Sequence, residues 1–280
     1  MVENRRFGNL IPHLVLWVGV GIVAFPVYLA LIASTHDAAT IANGRMPLWP
    51  GVHALENYRR ALTESGMAGA PVAQMLLNSL VTALAIAAGK IAISLLSAYA
   101  LIYFRFPLRQ AAFWAIFVTL MLPVEVRIYP TYKVAADLRL LDTYAGLTLP
   151  LIASATATLL YRQFFLTVPN ELVEASRIDG AGPVRFFFDT LLPLSRTTTA
   201  ALFVILFIYG WNQYLWPILV TTRGDMQTVV IGLRKMTTIT DQLTEWQLVM
   251  ATAMLAMLPP VLVVVAMQKL FVRGLVETEK

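Results

Sequence analysis

Cysteine is absent from the 280-residue chain, so disulfides and thiolate metal sites are excluded. Charge is scarce. Only 13% of residues are Asp, Glu, Lys or Arg, against roughly 25% in a soluble domain. The three histidines, His13, His36 and His53, are too few and too scattered for a metal cage. An ATPase needs the Gly-x-x-x-x-Gly-Lys-Ser/Thr loop to cradle phosphates. The one Gly-Lys pair, Gly89-Lys90, is followed by Ile91 and sits inside an apolar run. Any energy from ATP must therefore come from another chain. No internal repeat is visible, which counts against the inverted-repeat secondary transporters.

What the chain has is apolar surface. Hydrophobic residues make up 58% of it, and they come in blocks long enough to cross a bilayer as helix. The reading is an all-α polytopic membrane protein with six transmembrane helices. Spans are predicted at about 10–34, 74–104, 111–126, 144–166, 199–220 and 247–268. The third is weakened at its end by Pro123 and Glu125. The first follows Arg5 and Arg6 and could imitate a secretory signal. It is longer than the 7–15 residues of a signal core and no small-x-small site follows, so it reads as an uncleaved helix. The net charge of +5 reads as loop bias, not nucleic-acid binding. Arg105 and Arg109, in a turn of a few residues, favour the amino terminus inside. Residues 1–9 and the tail 269–280 are then cytoplasmic, and residues 36–73 form a substantial external loop.

The connection 167–198 is unusual. Asn170 is placed to cap a short helix starting at Glu171, with Glu171 and Glu174 at its positive end. Leu172, Ala175 and Ile178 fall on one face. Gly180 suits a left-handed turn that ends the helix, and Pro183 suits the first turn of a second. Phe186, Phe187 and Phe188 precede Leu191-Leu192-Pro193. By physics alone this is an amphipathic hairpin, suited equally to lipid headgroups and to a cytoplasmic partner.

The stretch resembles the coupling motif of binding-protein-dependent ABC importer permeases of type I: Glu-Ala-Ala, three residues, Gly, nine residues, Ile, one residue, Leu-Pro. Here the places are Glu174, Ala175, Ser176, Gly180, Thr190, Leu192 and Pro193, with Arg177 and Asp179 between them. Ser176 and Thr190 depart from the pattern. Leu77-Asn78-Ser79-Leu80, Ser97-Ala98-Tyr99-Ala100 and Trp211-Asn212-Gln213-Tyr214-Leu215-Trp216-Pro217 resemble the sugar-importer branch. Leu122-Pro123-Val124-Glu125-Val126-Arg127, Tyr144-Ala145-Gly146-Leu147-Thr148-Leu149-Pro150 and Ser154-Ala155-Thr156-Ala157-Thr158 are similar to permeases of that branch that import glycerol phosphate. The resemblance implies a permease of the inner (cytoplasmic) membrane that translocates sn-glycerol-3-phosphate or glycerophosphodiesters and performs no covalent chemistry. Its implied partners are a second permease subunit, two ATPase subunits, a periplasmic solute-binding protein and membrane lipid, without nucleic acid. It implies no cofactor on this chain, with ATP and Mg on the ATPase. The rival substrate is a neutral sugar or oligosaccharide. The rivals of another class are an ATP-independent secondary transporter or channel and a membrane receptor.

Polar residues inside the spans are the candidate pathway. Lys90, near the middle of the second span, faces protein or water because lipid would cost roughly 2.5–3.5 kcal/mol or more. It either attracts an anion or pairs with a carboxylate. Glu125 and Arg127 follow Pro123, two apart, and so do not face each other on a helix. Arg127 is the fork-shaped donor for a phosphate, or one half of an ion pair at the membrane edge. Asn212, Gln213 and Tyr214 interrupt the fifth span and need partners or a cavity. Trp211 and Trp216 beside them suit interface anchors. Ser154, Thr156 and Thr158 suit close helix packing.

Overall fold

The structure is a computed structural model that describes residues 10–66, 68–119, 122–238 and 244–276. The described residues form helices and connecting turns without a strand. Three helices are long and apolar enough to cross a membrane: Pro12–Ala33, Val72–Tyr103 and Trp246–Lys269. Two bent pairs, Tyr144–Leu151 with Ala155–Thr167 and Pro183–Leu194 with Arg196–Trp211, raise the number to five, with bends of 49° and 72°. The third predicted span, 111–126, takes in the helix Arg109–Val118 and the start of the helix Val124–Asp137, and residues 120 and 121 between them lie outside the described residues.

The chain divides into two units, residues 1–73 with 232–257 and residues 74–231 with 258–280. The first unit holds α1 (Leu10–Ala33), α2 (Ala38–Ala42) and α3 (Ala54–Thr63). Most of α1 from Leu14 to Leu31 is exposed apolar surface, as a helix covered by lipid requires. Its carboxyl end is closed by α3. The buried Asn57 donates from Nδ2 to the carbonyls of Ser34 and His36, at 2.9 and 2.8 Å. Both carbonyls lie in the turn that follows α1, outside any helix ladder. Arg60 of α3 pairs with Glu64 and, across the sequence, with Glu245 at 3.1 Å.

The second unit is organised along α4 (Val72–Tyr103), which begins in the first unit at its first two residues. Then come α5 (Arg109–Val118), α6 (Val124–Asp137), α7 (Tyr144–Thr148) and α8 (Ala155–Thr167). The hairpin helices α9 (Asn170–Ile178), α10 (Pro183–Phe186) and α11 (Leu192–Leu194) lead into α12 (Arg196–Trp211) and α13 (Leu215–Val220). Helix α14 (Val229–Thr238) passes from this unit into the first at residue 232, and α15 (Trp246–Val276) begins in the first and belongs to this one from residue 258.

Close backbone approach fixes α4 against its neighbours. A Cβ at Gly210 of α12 would lie 2.9 Å from the Cα of Ala83, and one at Gly89 would lie 2.6 Å from Ile152 Cγ2. Small residues at such crossings let helices gain van der Waals contact that lipid cannot outcompete. At one end of this unit Ala135, Leu147, Trp216 and Val220 form a buried cluster. Trp216 donates from Nε1 to the carbonyl of Gly146 at 2.9 Å, and Trp211 is buried as well. Neither is the exposed interface anchor that the sequence suggested. The helix break between them turns both indoles inward.

Candidate functional site

The hairpin begins one residue earlier than predicted. Asn170 is the first residue of α9 and makes no capping bond, while Pro169 holds the cap position. The fixed φ of proline suits that place, and the preceding extended backbone leaves Asn170 no reason to bend outward. Glu171 lies in the first turn, Arg177 in the last, each complementing the helix dipole.

Gly180 has φ +72°. Its N–H donates to the Arg177 carbonyl at 3.0 Å, and the Ala181 N–H reaches back to Ser176 at 2.9 Å. That pair of bonds is the Schellman ending of a helix. The second arm starts at Pro183, as predicted, and passes through a π-turn at Phe187–Leu191 before α11. Pro193 explains the π-turn. In a regular helix its ring would press on the carbonyl four residues back, at Asp189. The Arg185–Asp189 pair at 3.2 Å lies on the exposed side.

The apolar face predicted on α9 points outward. Leu172 is partly exposed, and Ile178 is 85% exposed. Val184 and Phe188 on the second arm are exposed too. Glu174, Ala175, Arg177, Asp179 and Gly180 are exposed and Ser176 is half-buried. Leu192 and Pro193 are half-buried. The inward side of the hairpin is aromatic. Tyr99 of α4 donates from its hydroxyl to the Pro183 carbonyl at 2.8 Å and its ring lies 5.1 Å from Phe187. Tyr103 packs on Phe186 at 5.4 Å and Phe165 at 6.1 Å. A cavity of about 150 Å³ lies between these rings and Ser176, Arg177 and Gly182. The hairpin is thus an exposed apolar platform on an aromatic mount at the end of α4.

The candidate pathway residues also belong to this unit. Lys90 is buried, and its Nζ sits 3.7 Å above the centroid of the Tyr209 ring on α12. Among the described residues Lys90 has no carboxylate partner; the aromatic face holds the ammonium instead. Arg127 is exposed in the first turns of α6. Glu125 is exposed on the same turn. Neither residue makes an ion pair among the described residues. Asn212, Gln213 and Tyr214 form the break between α12 and α13. Gln213 donates to the carbonyl of Tyr209, the residue beneath Lys90, at 3.1 Å. Asn212 and Tyr214 are exposed. Ser154 caps α8, accepting from Ala157 N–H at 3.2 Å, and Thr158 is buried, whereas Thr156 is exposed.

Sequence reasoning assigned no role to a polar clamp at the far end of α4. Asn78 accepts from the Tyr144 hydroxyl at 2.7 Å and donates to the carbonyls of Asp225 and Gln227 at 2.7 and 2.9 Å. Ser79 accepts from Val229 N–H. Asp142, at φ +54°, accepts from the N–H groups of Thr222 and Arg223 and from the Thr222 hydroxyl. Partial burial pushes its carboxyl up, but these bonds and the Arg223 charge outweigh that and hold it below the usual range. The signal was available in Leu77-Asn78-Ser79-Leu80: two adjacent polar residues opening an apolar run.

Residues 90–277 match the family of binding-protein-dependent transport system inner membrane components. The chain is 61% identical to the sn-glycerol-3-phosphate transport system permease protein UgpE of Rhizobium meliloti, with all of both chains covered. It is 54% identical to the protein of the same name from Escherichia coli O157:H7, again over all of both. A crystal structure of a bacterial ABC transporter involved in import of the acidic polysaccharide alginate shares the fold. There the TM-score is 0.82 at 19% identity, covering 96% of this chain and 98% of that one.

Proposed function

This chain belongs to the family of binding-protein-dependent transport system inner membrane components, and from that premise we propose that it is one permease subunit of an ATP-driven importer of sn-glycerol-3-phosphate. It sits in the inner membrane as a multi-pass protein. Its work is translocation, not covalent chemistry. A second permease chain completes the channel. Two ATPase subunits, which bind ATP and Mg, engage the hairpin, and a periplasmic binding protein delivers the substrate on the other side. Closure of the ATPases pushes the outward face carrying Leu172, Ile178 and Phe188. The aromatic mount passes that displacement to α4 through Tyr99 and Tyr103.

The observation that carries the substrate is full-length identity of 54–61% to permeases named for it. Supporting it, Lys90 and Arg127 offer positive charge that no carboxylate among the described residues neutralises. An anion needs such potential without a deep trap, because tight binding would stop release. The test is uptake of labelled sn-glycerol-3-phosphate by proteoliposomes that contain both permeases and the ATPase, with the binding protein outside. Uptake should require ATP inside and be unaffected by excess neutral oligosaccharide. ATP-independent uptake would point to a secondary transporter. ATP-dependent uptake of the oligosaccharide instead would point to the sugar reading.

A further inference from the structure

The end of the second unit that carries the hairpin holds a second feature. Tyr103 donates to the carbonyl of Phe165 at 3.4 Å, joining the ends of α4 and α8. Beside this junction is a cavity of about 150 Å³ whose lining includes Leu101, Arg109, Gln110, Phe113, Arg162 and Leu166. Two guanidinium groups border one small space. Among the described residues neither has a carboxylate partner. Arg109 makes only a long bond, 3.5 Å, to the carbonyl of Phe104. The Arg162 Cζ lies over the Phe113 ring, 4.6 Å from its centroid. The ring face supports the guanidinium without carrying a charge, so its N–H groups are not taken up by a carboxylate among the described residues and can fork to an anion. Helix α5 starts at Arg109 with no side-chain cap and no acid in its first turn, so its positive end adds to the same field.

We propose that this cavity binds the phosphate of an anionic phospholipid from the leaflet on the hairpin's side. The walls favour a lipid over a soluble phosphate. Leu101, Phe113 and Leu166 border the charged space, and Leu166 and the neighbouring Trp114 are both about half exposed. An acyl chain attached to the bound phosphate can continue along that apolar surface. Basic pockets between helices on the cytoplasmic side recognise anionic headgroups by this combination. The hairpin's protein-docking face, at Ile178, Val184 and Phe188, is a separate surface, and none of its residues lines the cavity.

The experiment uses the assembled importer in nanodiscs of phosphatidylcholine alone or with phosphatidylglycerol. After transfer to detergent, native mass spectrometry counts the phosphatidylglycerol that stays bound. The unaltered complex should retain it. Arg109→Gln and Arg162→Gln should each lower retention about fivefold, the equivalent of about 1 kcal/mol per basic residue near an anionic surface. Arg109→Lys and Arg162→Lys should retain an intermediate amount, since a point charge replaces the fork. Arg105→Gln removes the same charge from the same turn but lies outside the cavity wall, and should leave retention nearly unchanged. Three results overturn the proposal. One is an equal loss in Arg105→Gln, which means diffuse surface charge. Another is displacement of the lipid by inorganic phosphate, which means a site for a soluble anion. The third is loss of the ATPase subunits from the double glutamine variant in phosphatidylcholine alone, which means a protein-docking site.

Discussion

Substituting Gly180 tests the coupling reading most directly, because the cost can be worked from one dihedral angle. With φ at +72°, any L-residue there has its Cβ forced towards the following carbonyl. The left-handed conformation costs roughly 1–2 kcal/mol for an ordinary residue, and more for a β-branched one. Nothing lies within 4 Å of a Cβ built at Gly180, so the penalty is the backbone's alone and not a clash. At about 1.4 kcal/mol per factor of ten, Gly180→Ala should lower the population of the native turn by about five- to thirtyfold relative to alternatives. Gly180→Val should lower it further. Gly180→Asn should recover much of the loss, because asparagine tolerates this region. The assay is binding-protein-stimulated ATP hydrolysis beside substrate uptake in proteoliposomes, with assembly checked by co-purification. The expected order of transport is Gly, Asn, Ala, Val. Normal transport in Gly180→Val would refute the coupling role of the turn. Equal loss in Asn and Ala would refute the backbone argument, since it would make side-chain bulk against a partner the cause.

Tyr99→Phe removes one hydroxyl bond to Pro183 while keeping the ring against Phe187; about 0.5–1.5 kcal/mol should be lost from the mount. Coupling efficiency, uptake per ATP hydrolysed, should fall while assembly persists, and Tyr99→Ala should fall further. Asp142→Asn should loosen the connection to Thr222 and Arg223 by about 1 kcal/mol, a modest figure because the site is solvent-exposed. Hydrogen exchange of those two amides measures it. Asp142's carboxyl is held below its unfolded value, so its contribution is fully present above that value and is lost as pH falls through the depressed one. Amide protection at Thr222 should therefore persist at neutral pH and fade only in acid; fading near neutral pH would contradict the assignment. Lys90→Met and Arg127→Gln should slow uptake of the glycerol phosphate anion with the complex intact. If both transport normally, substrate charge is handled by other subunits.

The hairpin was legible because each signal in it is local. Gly180 needs only its own dihedral, Pro183 only its own ring, and the Glu174–Gly180 spacing only a short stretch of sequence. The outward direction of Leu172 and Ile178 was not legible, since periodicity identifies a face without naming what covers it. The long apolar helices could be read from hydropathy, whereas the bends at Ile152–Ser154 and Ser195 could not. The first of these lies against α4, which approaches Ile152 at Gly89 and bonds to the Ser154 carbonyl through Ser94 at 3.2 Å. Asn170 illustrates the opposite limit. Its cap propensity was real, but Pro169 already occupied the cap position.

The proposed pathway role of Lys90 joins the transport demand to the packing. A buried ammonium paired with a carboxylate would be neutral to a passing anion, and displacing that partner would leave an uncompensated charge behind. The Tyr209 ring stabilises the ammonium through its quadrupole without carrying a charge. On the proposed role, the positive potential therefore remains available to a passing anion. Tyr209 is in turn fixed from the helix break, because Gln213 donates to its carbonyl. A shift in the break at Asn212–Tyr214 would move the ring beneath Lys90, and so move the charge. On this argument Tyr209→Leu should impair uptake through loss of charge placement, while Tyr209→Phe, which keeps the ring, should preserve it. Equal uptake by the Leu and Phe variants would mean that the ring merely fills space and that the charge is positioned by something else.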